Sequence, residues 1–206
     1  METSPPKRNK QSLDDLFKDL SHPNPNINQK ACSQMIRLWP EASIERLIGN
    51  LSHKDLDLRR KSVKALGCFG DRALTSTVRK FLTNDDLVIR TSCLKVLVKI
   101  AAIEQYQSFP KSLKEVIDAS LKDDNPQITL SVVSLLRQLG KQGLQELIEA
   151  SRNRNVLLAK ASVTAIGEIN DPSSWDCLIS LAKDMSVDKL VRESAHYSLD
   201  SYSNGT

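Results

Sequence analysis

Basic side chains recur at four-residue spacing in the first half of the chain. Arg60 and Lys64 form one such pair, Lys95 and Lys99 form a second, and Arg37 occupies the position equivalent to Lys99 in an earlier segment. Residues four apart lie on one face of a helix, so each pair projects its two cations in one direction. Cations grouped in this way bind carboxylates, phosphates or an acidic protein surface. The pattern predicts an anion-binding groove; the alternative is a solvated helix surface with no ligand.

Groups that could catalyse a reaction or hold a metal are sparse. The chain has three histidines and four cysteines, none at the spacing of a zinc site, and it has no Gly-rich phosphate loop. No set of nucleophile, base and orienting residue can be assembled from them. Cys68 lies among the predicted cations, and neighbouring cations lower the pKa of a thiol and so favour its reactive form. We expect no catalytic side chains, no metal ligands and no tightly bound cofactor.

The segments that position the cations are repeated along the chain. An Asn or Asp recurs six times, at steps of 31, 31, 39, 30 and 33 residues. These six residues are Asn24, Asp55, Asp86, Asn125, Asn155 and Asp188. Asn and Asp are preferred at helix N-caps because the side-chain oxygen accepts a hydrogen bond from a free backbone N–H of the first turn. Each therefore predicts the start of a helix, here called helix B.

Apolar and small residues follow each predicted cap at three, seven, eleven and fourteen positions, which is one face of a helix. An arginine follows three of the caps by four residues, at 59, 90 and 192, and we expect it to bond within and between repeats. A second amphipathic segment, helix A, precedes each cap; Leu13, Leu16 and Leu20 are an example. Such a hairpin buries its apolar face only by stacking on its neighbours. The pattern predicts an all-α fold, a right-handed α-solenoid of about six helix–turn–helix repeats.

The domain organisation follows from the limits of the repeats. Residues 1–11 are polar and fit no repeat, so we predict a disordered N-terminal arm, then one repeat domain over 12–202 and a tail at 203–206. The 39-residue step holds about eight additional residues, which predicts an insertion or hinge near 103–111. We expect this segment to project Tyr106 towards a partner or ligand. Tyr197, on the face of the last helix B that corresponds to Lys64, is the second predicted aromatic contact.

Charge and hydropathy exclude several classes of protein. The net charge is +4, and residues 1–110 carry 18 Lys and Arg against 12 Asp and Glu, whereas residues 111–206 carry 11 against 13. A nucleic-acid-binding repeat protein is expected to have more cations and more aromatic residues in its groove, so nucleic acid is disfavoured as a partner. No apolar run approaches the length that spans a bilayer, and the first residues lack the apolar stretch of a secretory signal. We expect a cytoplasmic protein with no membrane partner.

One repeat carries a recognisable sequence pattern. It is formed by Asp55, Leu58, Arg59, Ser62, Ala65, Leu66 and Gly67. This pattern resembles the short HEAT-like repeat of the phycobilin lyases, over residues 12–202. In size and repeat number the chain is similar to the smaller members of the E/F-type lyase family, the Z-type subunits associated with phycoerythrobilin attachment.

The resemblance implies a function in chromophore attachment to phycobiliproteins in the cytoplasm of cyanobacteria. It implies phycoerythrobilin or a related bilin as the ligand, a phycobiliprotein subunit such as phycoerythrin as the client, and a partner lyase subunit in a heterodimer. The bilin would be passed to a cysteine of the client, so the chain needs no nucleophile of its own. Two interpretations remain open: a bilin lyase subunit or its chaperone-like partner, and a non-catalytic scaffold for phycobilisome assembly or turnover.

Overall fold

A computed structural model describes residues 11–109 and 111–203. The predicted arm, apart from Gln11, and the predicted tail, apart from Ser203, lie outside the described residues. Within the described ranges the chain forms twelve α-helices, no strand and two short 3-10 turns, at Asn50–Ser52 and Gly140–Gly143. The helices are α1 Leu13–Leu20, α2 Pro25–Leu38, α3 Pro40–Gly49, α4 Leu56–Cys68, α5 Asp71–Leu82, α6 Leu87–Glu104, α7 Lys111–Leu121, α8 Pro126–Leu139, α9 Leu144–Ala150, α10 Val156–Gly167, α11 Pro172–Lys183 and α12 Lys189–Ser203.

The helices form six consecutive hairpins. Odd-numbered helices are the predicted A helices, and even-numbered helices are the B helices. From α4 to α12 each B helix packs directly on the next, more closely than consecutive A helices do, so the B helices form the tighter, inner layer of the stack. The buried apolar residues belong to one continuous core that runs through all six hairpins. The predicted all-α solenoid is confirmed.

Each B helix begins at its predicted cap. All six Asn or Asp side chains accept a hydrogen bond from a backbone N–H in the first turn that follows, at 2.8–3.1 Å. Such a cap stabilises a helix by about 1 kcal/mol. The repeated residue therefore fixes where each inner helix starts, and hence the register of every exposed position along it.

Small residues let the hairpins approach one another. The position seven residues after the cap is at most 2 % exposed in all six repeats. It is occupied by Ala31, Ser62, Cys93, Val132, Ser162 and Ala195. Close approach of the inner helices brings side chains of consecutive helices into the same rows on the exposed face.

The arginine column ties turns to helices, as predicted. Arg59 donates to the carbonyl oxygen of His53 at 2.6 Å, and Arg192 donates to that of Val187 at 2.8 Å. Arg90 forms an ion pair with Asp123 of the next repeat at 2.5 Å. Asn28 replaces the arginine in the first repeat and donates to the carbonyl oxygen of Leu20 at 3.0 Å.

The segment after α6 does not project. Helix α6 has 18 residues and extends past the other B helices, so it absorbs part of the longer repeat step. It ends at Gln105, whose φ of 44° turns the chain in a left-handed conformation. Tyr106 and Phe109 then pack against the core, and the Tyr106 hydroxyl donates to the carboxylate of Asp71. The prediction of a projecting Tyr106 is wrong, because its ring finds apolar surface and its hydroxyl finds an acceptor on α5.

Candidate anion-binding cavity

A cavity of about 730 Å³ opens on the inner layer between α4, α6 and α8. This volume is within the range of small-molecule sites, which span roughly 300–1,000 Å³. Apolar side chains of α4 and α6 line part of it: Leu56, Val63, Val88 and Val98. The site therefore offers apolar surface to the body of a ligand as well as charge.

Four of the predicted cations meet at this cavity. Arg60 and Lys64 come from α4, and Lys95 and Lys99 come from α6. Among residues 11–109 and 111–203 none of the four has an ion-pair partner, and the cavity lining includes no Asp or Glu. Cations without internal partners in a partly apolar cavity attract an anion from solvent more strongly than neutralised ones.

Arg59 also lines the cavity, but its role is different. Its guanidinium donates to the carbonyl oxygens of His53 and Lys54, at 2.6 and 3.1 Å. These bonds hold the turn before α4 against the helix. Arg59 contributes positive charge to the cavity while its hydrogen-bonding capacity is partly used by the fold.

Gly67 sets the position of Lys99. A Cβ atom at residue 67 would lie 2.6 Å from the Cβ of Lys99 and 3.2 Å from its Cδ. The absence of a side chain on α4 therefore lets the stem of Lys99, from α6, lie directly across the neighbouring helix. This packing directs the Lys99 chain along the α4–α6 seam, where Lys64 also lies.

Three of the four hydroxyl groups of the lining, those of Thr91, Ser131 and Ser134, donate to carbonyl oxygens of their own helices. Thr91 donates to the carbonyl oxygen of Leu87 at 2.7 Å, and Ser134 donates to that of Leu130 at 3.0 Å. The cations are thus the principal donors left for a ligand. The lining contains no carboxylate or imidazole, so its residues are suited to binding and orienting an anion.

Three predicted contact residues are not brought to this cavity. Arg37 is exposed on α2, and Tyr197 on α12 is 75 % exposed at the other end of the stack. Tyr106 lies at the end of α6, where burial and then the hydrogen bond to Asp71 raise the pKa of its hydroxyl. Their roles in binding remain predictions.

The sequence prediction also missed part of the lining. Val88 and Gln127 lie two residues after their caps, and both face the cavity. Positions two, five and nine after the cap share one helical face, so the period that identified Lys64 also contains the signal for these two residues. The cation pattern alone did not point to them because they are uncharged.

The inner layer of repeats 5 and 6, formed by α10 and α12, carries different exposed side chains from the cavity region. Leu157 and Leu190, both two residues after the cap, are 44 % and 49 % exposed on adjacent helices. Glu168 pairs with Arg137 at 2.8 Å, and Glu193 pairs with Lys189 at 3.6 Å, so these two acids are neutralised within the fold. This part of the layer presents two exposed leucines, and Lys160 stands at its position equivalent to Arg60.

The described part of the chain contains neither a metal-binding cluster nor a helix that could span a membrane. No group of three His, Cys, Asp or Glu side chains in these residues is placed to hold a metal ion. None of the described helices combines the length and hydropathy needed to cross a bilayer.

Comparison with known proteins gives two curated relatives. The chain is 29 % identical over 185 residues to the uncharacterized phycocyanin operon protein Z of Pseudanabaena tenuis, which covers 89 % of this chain and 92 % of the relative. It is 24 % identical over 169 residues to the bilin biosynthesis protein CpeZ of a Synechococcus species, covering 79 % and 91 %. No protein-family model matches the chain. These relatives confirm the predicted resemblance to Z-type proteins.

Among solved structures the chain is similar to other helical repeat proteins. A designed armadillo repeat protein in complex with the peptide (KR)4 aligns with a TM-score of 0.50 at 15 % identity, over 92 % of this chain and 99 % of that protein. At this identity the similarity concerns the fold alone, and it agrees with the α-solenoid described above.

Proposed function

The chain is a homologue of the Z-type bilin biosynthesis proteins, and on that premise we propose that it binds a linear tetrapyrrole and assists its attachment to a phycobiliprotein. The observation that carries this proposal is the cavity between α4, α6 and α8, where Arg60, Lys64, Lys95 and Lys99 meet beside apolar side chains. A linear tetrapyrrole combines two propionate carboxylates with a flat, largely apolar ring system. Its two chemical parts match the two kinds of lining.

The two kinds of side chain in the lining bind different parts of the bilin. The lysines and Arg60 bind the propionates through charge-assisted hydrogen bonds, and Leu56, Val63 and Val88 contact the rings. The lining contains cations, hydroxyls, an amide and apolar side chains but no carboxylate or imidazole, so the chain acts by holding and orienting the bilin. Phycoerythrobilin is the bilin we propose, and a cysteine of the client forms the covalent bond.

Protein partners are the second part of the proposal. We assign a phycobiliprotein subunit, such as phycoerythrin, and a partner lyase subunit to the inner layer of repeats 5 and 6. The exposed Leu157 and Leu190 support this assignment, because adjacent apolar side chains on a surface mark protein contacts. This surface lies on the same layer as the cavity, so a bound client and a bound bilin face the same side of the stack.

The bilin site is tested by titrating the purified chain with phycoerythrobilin and following the absorbance spectrum. We expect saturable binding and a loss of roughly tenfold or more in affinity for the double variant Lys64→Glu and Lys95→Glu, because each charged hydrogen bond contributes about 1.5–3 kcal/mol. The matched control is Lys122→Glu with Lys183→Glu, which changes the net charge equally at two exposed lysines outside the cavity. Equal affinity in both double variants would place the bilin elsewhere.

If no form of the chain binds bilin, the alternative is a non-catalytic scaffold for phycobilisome assembly or turnover. It is then tested by co-purification of the tagged chain with phycoerythrin subunits and a lyase subunit. We expect Leu157→Ser with Leu190→Ser to reduce recovery of the partners. Leu82→Ser, at a residue 43 % exposed on the outer layer, is the control and should leave recovery unchanged.

A further inference from the structure

Two cysteines of consecutive repeats meet at the edge of the basic surface. Cys68 is the last residue of α4 and is exposed, and its Sγ lies 3.5 Å from the carbonyl oxygen of Lys64. Cys32 on α2 is buried, and its Sγ lies 3.7 Å from the carbonyl oxygen of Ala65. The two sulfurs therefore lie against the carbonyl oxygens of two consecutive residues in one turn of α4, and each thiol affects the pKa of the other.

The surroundings favour opposite protonation states for the two thiols. The neighbouring Cys32 thiol, followed by the charges of Lys64 on α4 and Lys99 on α6, lowers the pKa of Cys68 to about 6 against the effect of its burial. The neighbouring Cys68 and burial raise the pKa of Cys32, and burial raises that of Cys93 to about 12. The surroundings therefore favour the thiolate, the reactive form of cysteine, at Cys68 rather than at Cys32.

We propose that Cys68 and Cys32 form a redox pair that reacts with hydroperoxides. One thiol is exposed to solvent on the helix that carries Lys64, and the other is buried against the same turn of that helix, an arrangement that suits an attacking and a resolving cysteine. Cys93 and Cys177 are buried on other repeats and take no part. The pair was not predicted from the sequence, because its members are separated by 36 positions and meet only when α2 packs on α4.

The chemistry balances with a hydroperoxide as the only oxidant. The Cys68 thiolate attacks one peroxide oxygen, the O–O bond breaks, and the leaving alkoxide or hydroxide takes a proton from water, which leaves Cys68 as a sulfenic acid. The sulfur of Cys32 then attacks that of Cys68; the S–S bond forms, the S–O bond breaks, and the proton of Cys32 leaves with the hydroxyl as water. Two thiols lose two electrons, and the peroxide gains them.

The disulfide would change the surface in two ways. It would join α2 to α4 covalently, and so tie the first hairpin to the second. It would also remove the ionisable thiol of Cys68, whose pKa is lowered by Lys64 and Lys99, two residues of the cavity lining. The proposal does not depend on the identity of the ligand, because the pair lies outside the cavity lining.

The test treats the reduced full-length chain with equimolar hydrogen peroxide and maps its tryptic peptides. We expect a disulfide between peptides 31–37 and 65–72 and the loss of two hydrogens from the intact mass. In Cys32→Ser a sulfenic acid at Cys68 should accumulate and be trapped by dimedone, and in Cys68→Ser neither product should form. Cys93→Ser and Cys177→Ser are the controls and should behave as the unmodified chain.

Two results would overturn the proposal. One is oxidation of Cys68 to a sulfinic acid, or to an intermolecular disulfide, with no link between residues 32 and 68. The other is alkylation of Cys68 by iodoacetamide at pH 7 no faster than that of Cys93 and Cys177, where we expect more than about a tenfold difference in rate. The second measurement does not require the cysteine variants to fold.

Discussion

The inner layers of repeats 2–3 and of repeats 5–6 are built on the same positions but carry different chemistry. Nine residues after the cap, the second and third repeats have Lys64 and Lys95, whereas the fifth and sixth have Thr164 and Tyr197. The first pair faces a cavity whose cations lack internal partners. At the second pair of repeats the exposed surface includes Leu157 and Leu190, and Glu168 and Glu193 are paired within the fold.

The buried positions of the same helices do not differ in this way. All six caps accept a first-turn hydrogen bond, and the small residue seven positions later is buried in every repeat. The stack therefore depends on the caps and the buried columns, and the exposed columns are free to specify ligands. One scaffold can carry a cationic pocket and an apolar contact surface side by side because each repeat contacts only its neighbours.

The largest effect is expected in the shared core. Leu97→Ala in repeat 3 and Leu136→Ala in repeat 4 occupy the same column, and both side chains are at most 1 % exposed. Each should lower the free energy of unfolding by about 2–5 kcal/mol through lost burial and the cavity left behind. Urea unfolding followed by circular dichroism measures this. If the free energy of unfolding fell by less than about 1 kcal/mol for either variant, repeats 3 and 4 would not share one core.

The next largest effect on stability is expected at the ion pairs that join consecutive repeats. Arg90 and Asp123 are only 19 % and 15 % exposed, whereas Arg137 and Glu168 are about half exposed. Arg90→Ala leaves a poorly solvated carboxylate and should cost about 1–3 kcal/mol, while Arg137→Ala should cost less than about 1 kcal/mol. The same unfolding experiment compares the two variants. Equal losses of unfolding free energy would show that the Arg90–Asp123 ion pair stabilises the fold no more than an exposed ion pair does.

Single lysine-to-alanine variants should show whether the cavity or the layer of repeats 5 and 6 binds the bilin. Lys99→Ala removes a cation of the cavity, and Lys160→Ala removes a cation from repeat 5, on the same layer but outside the cavity. We expect roughly a threefold to tenfold loss of phycoerythrobilin affinity for the first and less than twofold for the second, because only the first charge contacts the ligand. Equal losses would mean that the charge of the whole layer, not the cavity, attracts the bilin.

A smaller, pH-dependent effect belongs to the turn before α12. Hydrogen bonds from Ser186 and then Arg152 lower the pKa of Asp184 to about 2 from 3.8. A carboxylate with a lowered pKa stabilises the folded state above its unfolded pKa, and this stabilisation is lost as pH falls from about 4 to about 2. Asp184→Asn should therefore lower the unfolding midpoint slightly at pH 7 and by less at pH 2, where about half of the carboxylate is protonated. A difference that is as large at pH 2 as at pH 7 would have a cause other than ionisation.

Local signals in the sequence were sufficient for the repeat architecture. The caps act within one turn of helix, and the apolar columns follow the helical period, so neither needs knowledge of distant residues. The cation pairs were identified in the same way, and four of the five predicted cations do meet at one cavity. Tyr106 was misplaced because its acceptor, Asp71, is 35 residues away and comes within reach only when α5 and α6 pack together.

The sequence by itself determined the type and number of the repeats and the side of each inner helix that faces out, because these depend on spacing along one chain segment. Tertiary structure decided which exposed residues share a site. The stacking of α4, α6 and α8 selected Arg60, Lys64, Lys95 and Lys99 and left Arg37 apart, and the packing of α2 on α4 brought Cys32 to Cys68. The physical reason is that neighbours across helices are set by side-chain packing between repeats, through contacts such as that of Lys99 over Gly67, which no single repeat encodes.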